Sequence, residues 1–225
     1  SAVNFPTSHP QFMGTVRLGF PRSRELLSSA DVVLMVGKLA SGYYMFSEPP
    51  LRFFGPNTKL IHVDSDASDV GKAQPTDVGV IADPKVGLDD LADALETGMS
   101  GSAVEAAKGR RTSLSEEKAA LGTAWERRLK ERWDIRPMSA ERMMAEIAKA
   151  LPPDTIIADD AVTTREALYH ALEFDEPGST FGARGGALGW GIGGAMGLKL
   201  AHPQRPVVAI VGDGNAMMTV QGLWT

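Results

Sequence analysis

Pro206-Val-Val-Ala-Ile-Val211 passes without a break into Gly212-Asp213-Gly214-Asn215. An apolar run with no polar alternation has no solvent face, so it predicts a strand buried on both sides, the habit of parallel sheets covered by helices. Such strands need crossover connections, and the rest of the chain must therefore alternate strand and helix. It does. Asp31-Val-Val-Leu-Met-Val-Gly37, Leu60-Ile-His-Val-Asp64, Val78-Gly-Val-Ile-Ala-Asp83 and Thr155-Ile-Ile-Ala-Asp-Asp160 repeat the pattern, and three of these four end at an acidic residue. Val86, Leu88, Leu91 and Leu95 suit one helix face. Met143, Ile147 and Leu151 form an i, i+4, i+8 stripe behind Ser139, a candidate N-cap. Thr163 to Leu172 reads as a short helix and Leu188 to Ala201 as a helix rich in small residues. The fold class is α/β: two parallel-sheet domains with helices on both faces.

The chain divides by composition into residues 1–98, a small α/β domain; 99–136, a charged helical linker; and 137–225, a second α/β domain that breaks off early. Ser41 to Asn57 reads as a long loop rich in aromatics and proline. The linker carries one or two solvated helices whose ion pairs form a wet surface. The end at Leu223-Trp224-Thr225, one or two helical turns past a strand, makes a poor domain boundary and leaves an apolar sheet edge, so a longer parent protein is expected.

Formal charge excludes several functions. Lys and Arg number 23 against 28 Asp and Glu, a net −5, and no basic block exceeds the pairs Arg110-Arg111 and Arg127-Arg128, so nucleic acid is not an expected partner. No apolar run approaches the roughly 18 residues of a membrane span. The start, Ser-Ala-Val-Asn-Phe-Pro, lacks the features of a signal peptide. With no cysteine there is no disulfide, thiolate metal site or cysteine nucleophile. The expectation is a cytoplasmic protein.

Chemistry concentrates where the glycines do. The 24 glycines are about 11% of the chain, against a usual share of about 7%, and the excess lies between Gly182 and Gly214. An Asp flanked by glycines at the carboxyl end of a parallel strand sits where open α/β sheets bind ligands. The glycines admit phosphate oxygens, and an Asp among phosphates implies a cation between them, so Asp213 reads as a Mg²⁺ ligand bridging a diphosphate. A turn with a helix-capping Asp explains the same four residues. Gly185-Gly-Ala-Leu-Gly-Trp-Gly-Ile-Gly-Gly194 does not follow a strand, so it fails the context of a dinucleotide fingerprint. Gly191, Gly193 and Gly194 read as close helix packing, while Gly185 to Leu188 can form a loop facing a ligand. Of the four histidines, His62 and His202 read as structural. His9 lies in Phe5-Pro-Thr-Ser-His-Pro-Gln-Phe12, where aromatic rings can shield it.

Val207-Val-Ala-Ile-Val-Gly-Asp-Gly-Asn-Ala216 resembles the start of the thiamine diphosphate motif. Asp159-Asp-Ala-Val-Thr-Thr164 and Arg184-Gly-Gly-Ala-Leu-Gly-Trp190 resemble the two loops that precede it in the group containing pyruvate oxidase, acetolactate synthase and benzoylformate decarboxylase. Residues 1 to about 95 look like the middle domain of those enzymes. Phe5 to Gly14 and Ala216 to Thr225 are most similar to the decarboxylase branch. The resemblance implies thiamine diphosphate and Mg²⁺ as cofactors, with Asp213 as metal ligand and Gly212, Gly214 and Asn215 on the diphosphate. It makes Leu188 the bulky apolar residue beneath the thiazolium ring, and Gly186 the residue that offers a backbone carbonyl to the aminopyrimidine. His9 becomes a catalytic histidine that assists proton transfer.

Ala161 and Val162 stand where decarboxylases of this group often carry hydroxyl residues. The glutamate that helps ionise the cofactor belongs to a domain before residue 1, and an asparagine completing the metal site belongs beyond residue 225. The 225 residues alone are expected to be inactive. The implied reaction of the parent is decarboxylation of a small 2-oxo acid, aryl in type, by a homodimer or homotetramer. A carboligase of the acetolactate synthase type is the alternative, and a non-catalytic binding or assembly module a third.

Overall fold

Each continuous apolar run forms a strand, but burial on both faces is met unevenly: Ile156–Asp160 is buried throughout, whereas Val32, Leu34 and Val36 are half-exposed and Val78–Ile81 is exposed along its length. The computed structural model describes residues 3–15, 25, 27–38, 54–72, 74–183 and 186–225. Most of the Ser41–Asn57 loop, together with Arg184 and Gly185, lies outside the described residues. The chain divides into two compact units, residues 15–107 and residues 1–14 with 108–225.

In the unit of residues 15–107, β1 (Val32–Val36), β2 (Lys59–Asp64) and β3 (Val78–Ile81) form a parallel sheet in the order β1-β2-β3. Helix α1 (Pro84–Gly98) follows, capped by Asp83, whose carboxylate accepts from the amides of Lys85 and Val86. Its Gly87 lies against the Val63 side chain, so α1 covers that face of β2. Leu88, Leu91 and Leu95 share one stripe as expected. Val86 does not, because two residues at 100° each put it about 200° away from Leu88. His62 is buried on the opposite face of β2. Its Nδ1 accepts from the Gly71 amide at 3.3 Å, which leaves Nε2 to donate to the Gly37 carbonyl at 3.2 Å. The ring joins two loops to the strand, a structural role.

In the other unit, β4 (Ile156–Asp160) runs between β5 (Thr180–Gly182) and β6 (Val207–Val211), all parallel. The pleat sends Ile157 and Asp159 to one face and Asp160 to the other. On the first face Ile157 and Ile210 pack with Met144 of α3 (Ala140–Ala150) and Leu168 of α4 (Arg165–Ala171). On the second, α5 (Trp190–Ala201) lies across β4 and β6, with Gly191 against Asp160 and Val211. Helices thus cover both faces of this sheet. Ser139 caps α3, its hydroxyl accepting from the Arg142 amide at 3.1 Å while donating to the Arg132 carbonyl at 2.9 Å.

The charged stretch is one helix, α2 (Gly101–Glu131), not two. Its last turns are not a wet surface throughout. Glu141 is buried and accepts from Arg128 Nε at 2.8 Å and pairs with Arg132 Nε at 3.1 Å. Burial raises the Glu141 pKa, but its own backbone amide and the two guanidinium groups outweigh that and hold it below the ordinary value of 4.5. No helix among the described residues is long and apolar enough to cross a membrane.

Candidate functional site: the carboxyl end of β4 and β6

Two adjacent parallel strands, β4 and β6, end side by side, and the residues singled out from sequence gather just beyond them. Val211 pairs with Asp160, and Gly212 then donates its amide to the Asp160 carbonyl at 3.3 Å. Helix α6 (Asp213–Met218) begins at once, with Ala216 donating to the Gly212 carbonyl at 2.8 Å. Asp213 is exposed in the first turn, and the only hydrogen bond to its carboxylate among the described residues is from the adjoining Gly214 amide at 2.8 Å. No atom lies within 4 Å of where a Cβ on Gly214 would stand, so a ligand atom can approach that backbone closely.

Asn215 behaves differently from its neighbours. It is buried, and its Nδ2 donates to both the carbonyl and the Oδ1 carboxylate oxygen of Asp160. With both side-chain amide hydrogens engaged there, the donor that Asn215 retains for an anionic ligand is its main-chain amide, its side-chain Oδ1 being an acceptor.

The glycine-rich turn reaches the same place from the other side. Gly189 N and Gly191 N each donate to Asp160 Oδ2 at 3.0 Å, and Thr219 Oγ1 donates to the Gly189 carbonyl at 2.6 Å. Gly189 has φ +87°, and a Cβ there would stand 3.0 Å from that of Met218, so the turn needs glycine on two counts. The turn leaves Leu188 half-exposed and Gly186 on an open surface. Leu188, Gly212, Asp213, Gly214 and Asn215 therefore come together around the Asp160 carboxylate.

Asp160 is the member that the sequence reading lacked a role for. The signal was present: like Asp64 and Asp83, it closes an apolar run, and a carboxylate in that position meets the start of the next element. Asp159, on the opposite face, pairs with Arg165 Nε at 2.8 Å and accepts from the Ala161 amide at 3.0 Å. Tyr169 beside it has its pKa raised, first by burial and then by the Asp159 charge.

His9 belongs to the same unit, in segment 3–14. That segment is fastened by Lys118 Nζ, which donates to the carbonyls of Thr7 and His9, each at 2.7 Å. Thr7 exchanges backbone and side-chain hydrogen bonds with Phe174, and the Ser8 amide donates to Asp175 at 2.9 Å. The Ser8 hydrogen bonds hold the Asp175 carboxyl below its usual range. The His9 ring lies edge-on to Phe5 at 5.0 Å, and its Nδ1 accepts from the Gln11 amide at 3.1 Å. No hydrogen bond joins His9 to the Asp213 turn among the described residues.

Comparison with known proteins decides what cofactor chemistry this arrangement belongs to. Residues 2–91 match the family model described as thiamine pyrophosphate enzyme, central domain, and residues 160–225 match thiamine pyrophosphate enzyme, C-terminal TPP binding domain. The chain belongs to the thiamine pyrophosphate enzymes. It is 28% identical to a benzoylformate decarboxylase of Pseudomonas aeruginosa over 225 residues, covering 100% of this chain and 38% of that protein. A Methanocaldococcus jannaschii protein bearing the name of an acetolactate synthase large subunit is 27% identical, over 98% of this chain and 36% of its own length. The fold matches that of a 4-hydroxybenzoylformate decarboxylase from Rhodococcus jostii RHA1 at a TM-score of 0.71 and 23% identity, covering 100% of this chain and 38% of that structure. The chain thus spans about two fifths of the length of these thiamine pyrophosphate enzymes.

The residues fit the cofactor. Asp213 keeps carboxylate capacity facing solvent, Gly214 and Gly186 leave the backbone open, and Leu188 offers apolar surface on the neighbouring turn. Among the described residues no three His, Cys, Asp or Glu side chains converge as a metal site.

Proposed function

We propose that the protein carrying this chain is a thiamine diphosphate- and Mg²⁺-dependent enzyme that removes CO₂ from an aryl-substituted 2-oxo acid without net oxidation. The observation supporting this reading is the fastening of the His9 segment to the unit that carries Asp213. That segment is where the chain resembles the decarboxylases rather than the carboligases.

Thiamine diphosphate supplies the electron sink for the pair of electrons left behind as CO₂ departs. The protein binds, orients and shields. Asp213 holds Mg²⁺, the main chain of Gly212, Gly214 and Asn215 takes the diphosphate, Gly186 presents its carbonyl, and Leu188 props the ring. His9 manages a proton. Because Nδ1 accepts from the Gln11 amide, the proton of the neutral ring sits on Nε2, and Nε2 is the nitrogen that gives and recovers it. Phe5 packs against the ring at 5.0 Å. The active form is a homodimer or homotetramer in the cytoplasm.

Product analysis tests the reading. The whole protein, supplied with thiamine diphosphate and Mg²⁺, is incubated separately with benzoylformate and with pyruvate. Benzaldehyde and CO₂ from the first are expected. Acetolactate from the second establishes the other reading, a carboligase, which the nearly equal identity to the acetolactate synthase relative favours. Cofactor binding with neither product leaves a non-catalytic module.

A further inference from the structure

We propose that Asp160 is the positioning residue of the cofactor site, the carboxylate that sets the spacing between the Leu188 turn and the Asp213 turn. This rests on the reading above, in which those two turns grip thiamine diphosphate.

Three donors converge on one buried side chain. Oδ2 takes the amides of Gly189 and Gly191, and Oδ1 takes Asn215 Nδ2 at 2.9 Å. The Asp160 main-chain carbonyl adds the amide of Gly212 and a second bond from Asn215. One residue on a central strand therefore holds segments 29, 31 and 55 positions away. All these partners are neutral donors, and hydrogen bonds to an ionised acceptor are about twice as strong as neutral ones. Two of the donors belong to the N-terminal turn of α5, where the helix dipole favours a negative charge.

The surroundings are cut to admit this carboxylate. A Cβ on Gly191 would stand 2.7 Å from the Asp160 Cβ, so only glycine lets the two backbones approach. The Gly189 peptide is gripped from both ends, its amide by Asp160 and its carbonyl by Thr219. Leu188 lies immediately before that fixed residue and Gly186 two positions further back, and Asp213 lies between two residues, Gly212 and Asn215, bonded to Asp160. Displacing the carboxylate would release both turns at once. An amide cannot replace it, because the NH₂ of an asparagine would face either two backbone N–H groups or the NH₂ of Asn215.

Asp159 is the matched control. It is equally buried on the same strand, but its partners, Arg165 and Ala161, lie on the other face of the sheet. The test uses the whole protein as Asp160→Asn, Asp159→Asn and Thr219→Val, the last removing the hydroxyl on the other side of the Gly189 peptide. Three quantities are read in each variant: the Kd for thiamine diphosphate in excess Mg²⁺, the apoprotein Tm, and amide exchange at Gly189 and Gly191. Asp160→Asn is expected to raise the Kd at least tenfold and speed exchange at both glycines in the apoprotein. Thr219→Val should raise the Kd about threefold, and it carries the test if Asp160→Asn does not fold. Asp159→Asn should lower Tm with the Kd within twofold of wild type. Equal Kd changes in the two aspartate variants, or an unchanged Kd in both Asp160→Asn and Thr219→Val, overturns the proposal. Wild-type protein that fails to bind thiamine diphosphate overturns the functional reading instead.

Discussion

Gly191→Ala and Gly193→Ala are the same chemical change two residues apart on α5, and the structure gives them opposite signs. At Gly193 nothing lies within 4 Å of the new methyl group. The substitution there gains only the helix preference of alanine over glycine, about 0.8–1 kcal/mol. At Gly191 the methyl group meets the Asp160 Cβ at 2.7 Å and Val211 Cγ2 at 2.9 Å. The valine can turn, but the Asp160 Cβ is fixed to the central strand. Ordinary contact begins near 3.4 Å, so the start of α5 must retreat by roughly 0.7 Å. That retreat stretches the Gly189 and Gly191 hydrogen bonds from 3.0 Å toward about 3.7 Å, outside bonding range. Overpacking costs about 1–3 kcal/mol, and each weakened bond to a carboxylate adds up to about 1.5–3 kcal/mol, against at most about 1 kcal/mol of helix gain. With each bond losing about half its strength, these terms bracket a loss of about 1.5–5 kcal/mol, centred on about 2–4 kcal/mol. For a unit of this size each kcal/mol moves Tm by roughly 2–4 °C. Thermal unfolding followed by circular dichroism should show Gly193→Ala a few degrees above wild type and Gly191→Ala about 5–15 °C below it. Shifts of the same sign in both variants would refute the close-approach argument.

Other consequences are as direct. His9→Ala should lower kcat by about 10²–10⁴ while leaving the thiamine diphosphate Kd unchanged, and steady-state kinetics beside a cofactor titration separates the two. Lys118→Met removes two hydrogen bonds that hold segment 3–14, so limited proteolysis should cut there first, with the core as resistant as before. Glu141 has a lowered pKa in the folded state, so its contribution is present above 4.5 and is lost as pH falls through the folded value. Glu141→Gln should cost about 1–3 kcal/mol at pH 7 and flatten the fall of Tm between about pH 5 and pH 3; equal slopes in mutant and wild type would contradict the assignment.

What the sequence disclosed was governed by distance along the chain. β1, β2, β4 and β6 fall within one residue of the apolar runs, because an unbroken run of β-branched and other apolar residues marks a strand locally, even though full burial on both faces is reached only in β4. The Ser139 cap was equally legible, since a capping hydroxyl and its amide partner lie three residues apart. β5 was missed: Thr180-Phe-Gly182 is too short for any period and becomes a strand only by lying beside β4. The charge-rich stretch misled in part for a related reason. Arg128 and Arg132 look like solvated residues until a carboxylate from α3 is buried beneath them.

The candidate site divides along the same line. Gly212 to Asn215 was visible because a short motif needs only its own residues to be recognised. The bonds that shape the site join Asp160 to positions 29, 31, 52 and 55 residues further on, and the first three of these end on backbone amides, which every residue but proline possesses. No residue identity marks such partners, so no pattern could have announced them. What the sequence does retain is the negative image: glycines at 189 and 191 where any side chain would collide, and an acidic residue closing a buried strand whose nearest arginine, Arg165, is taken by Asp159 on the other face. A lone carboxylate at the end of an apolar run is expensive to bury unless donors meet it. Here two of those donors come from the amino end of α5, and glycine at 189 and 191 is what lets that helix approach.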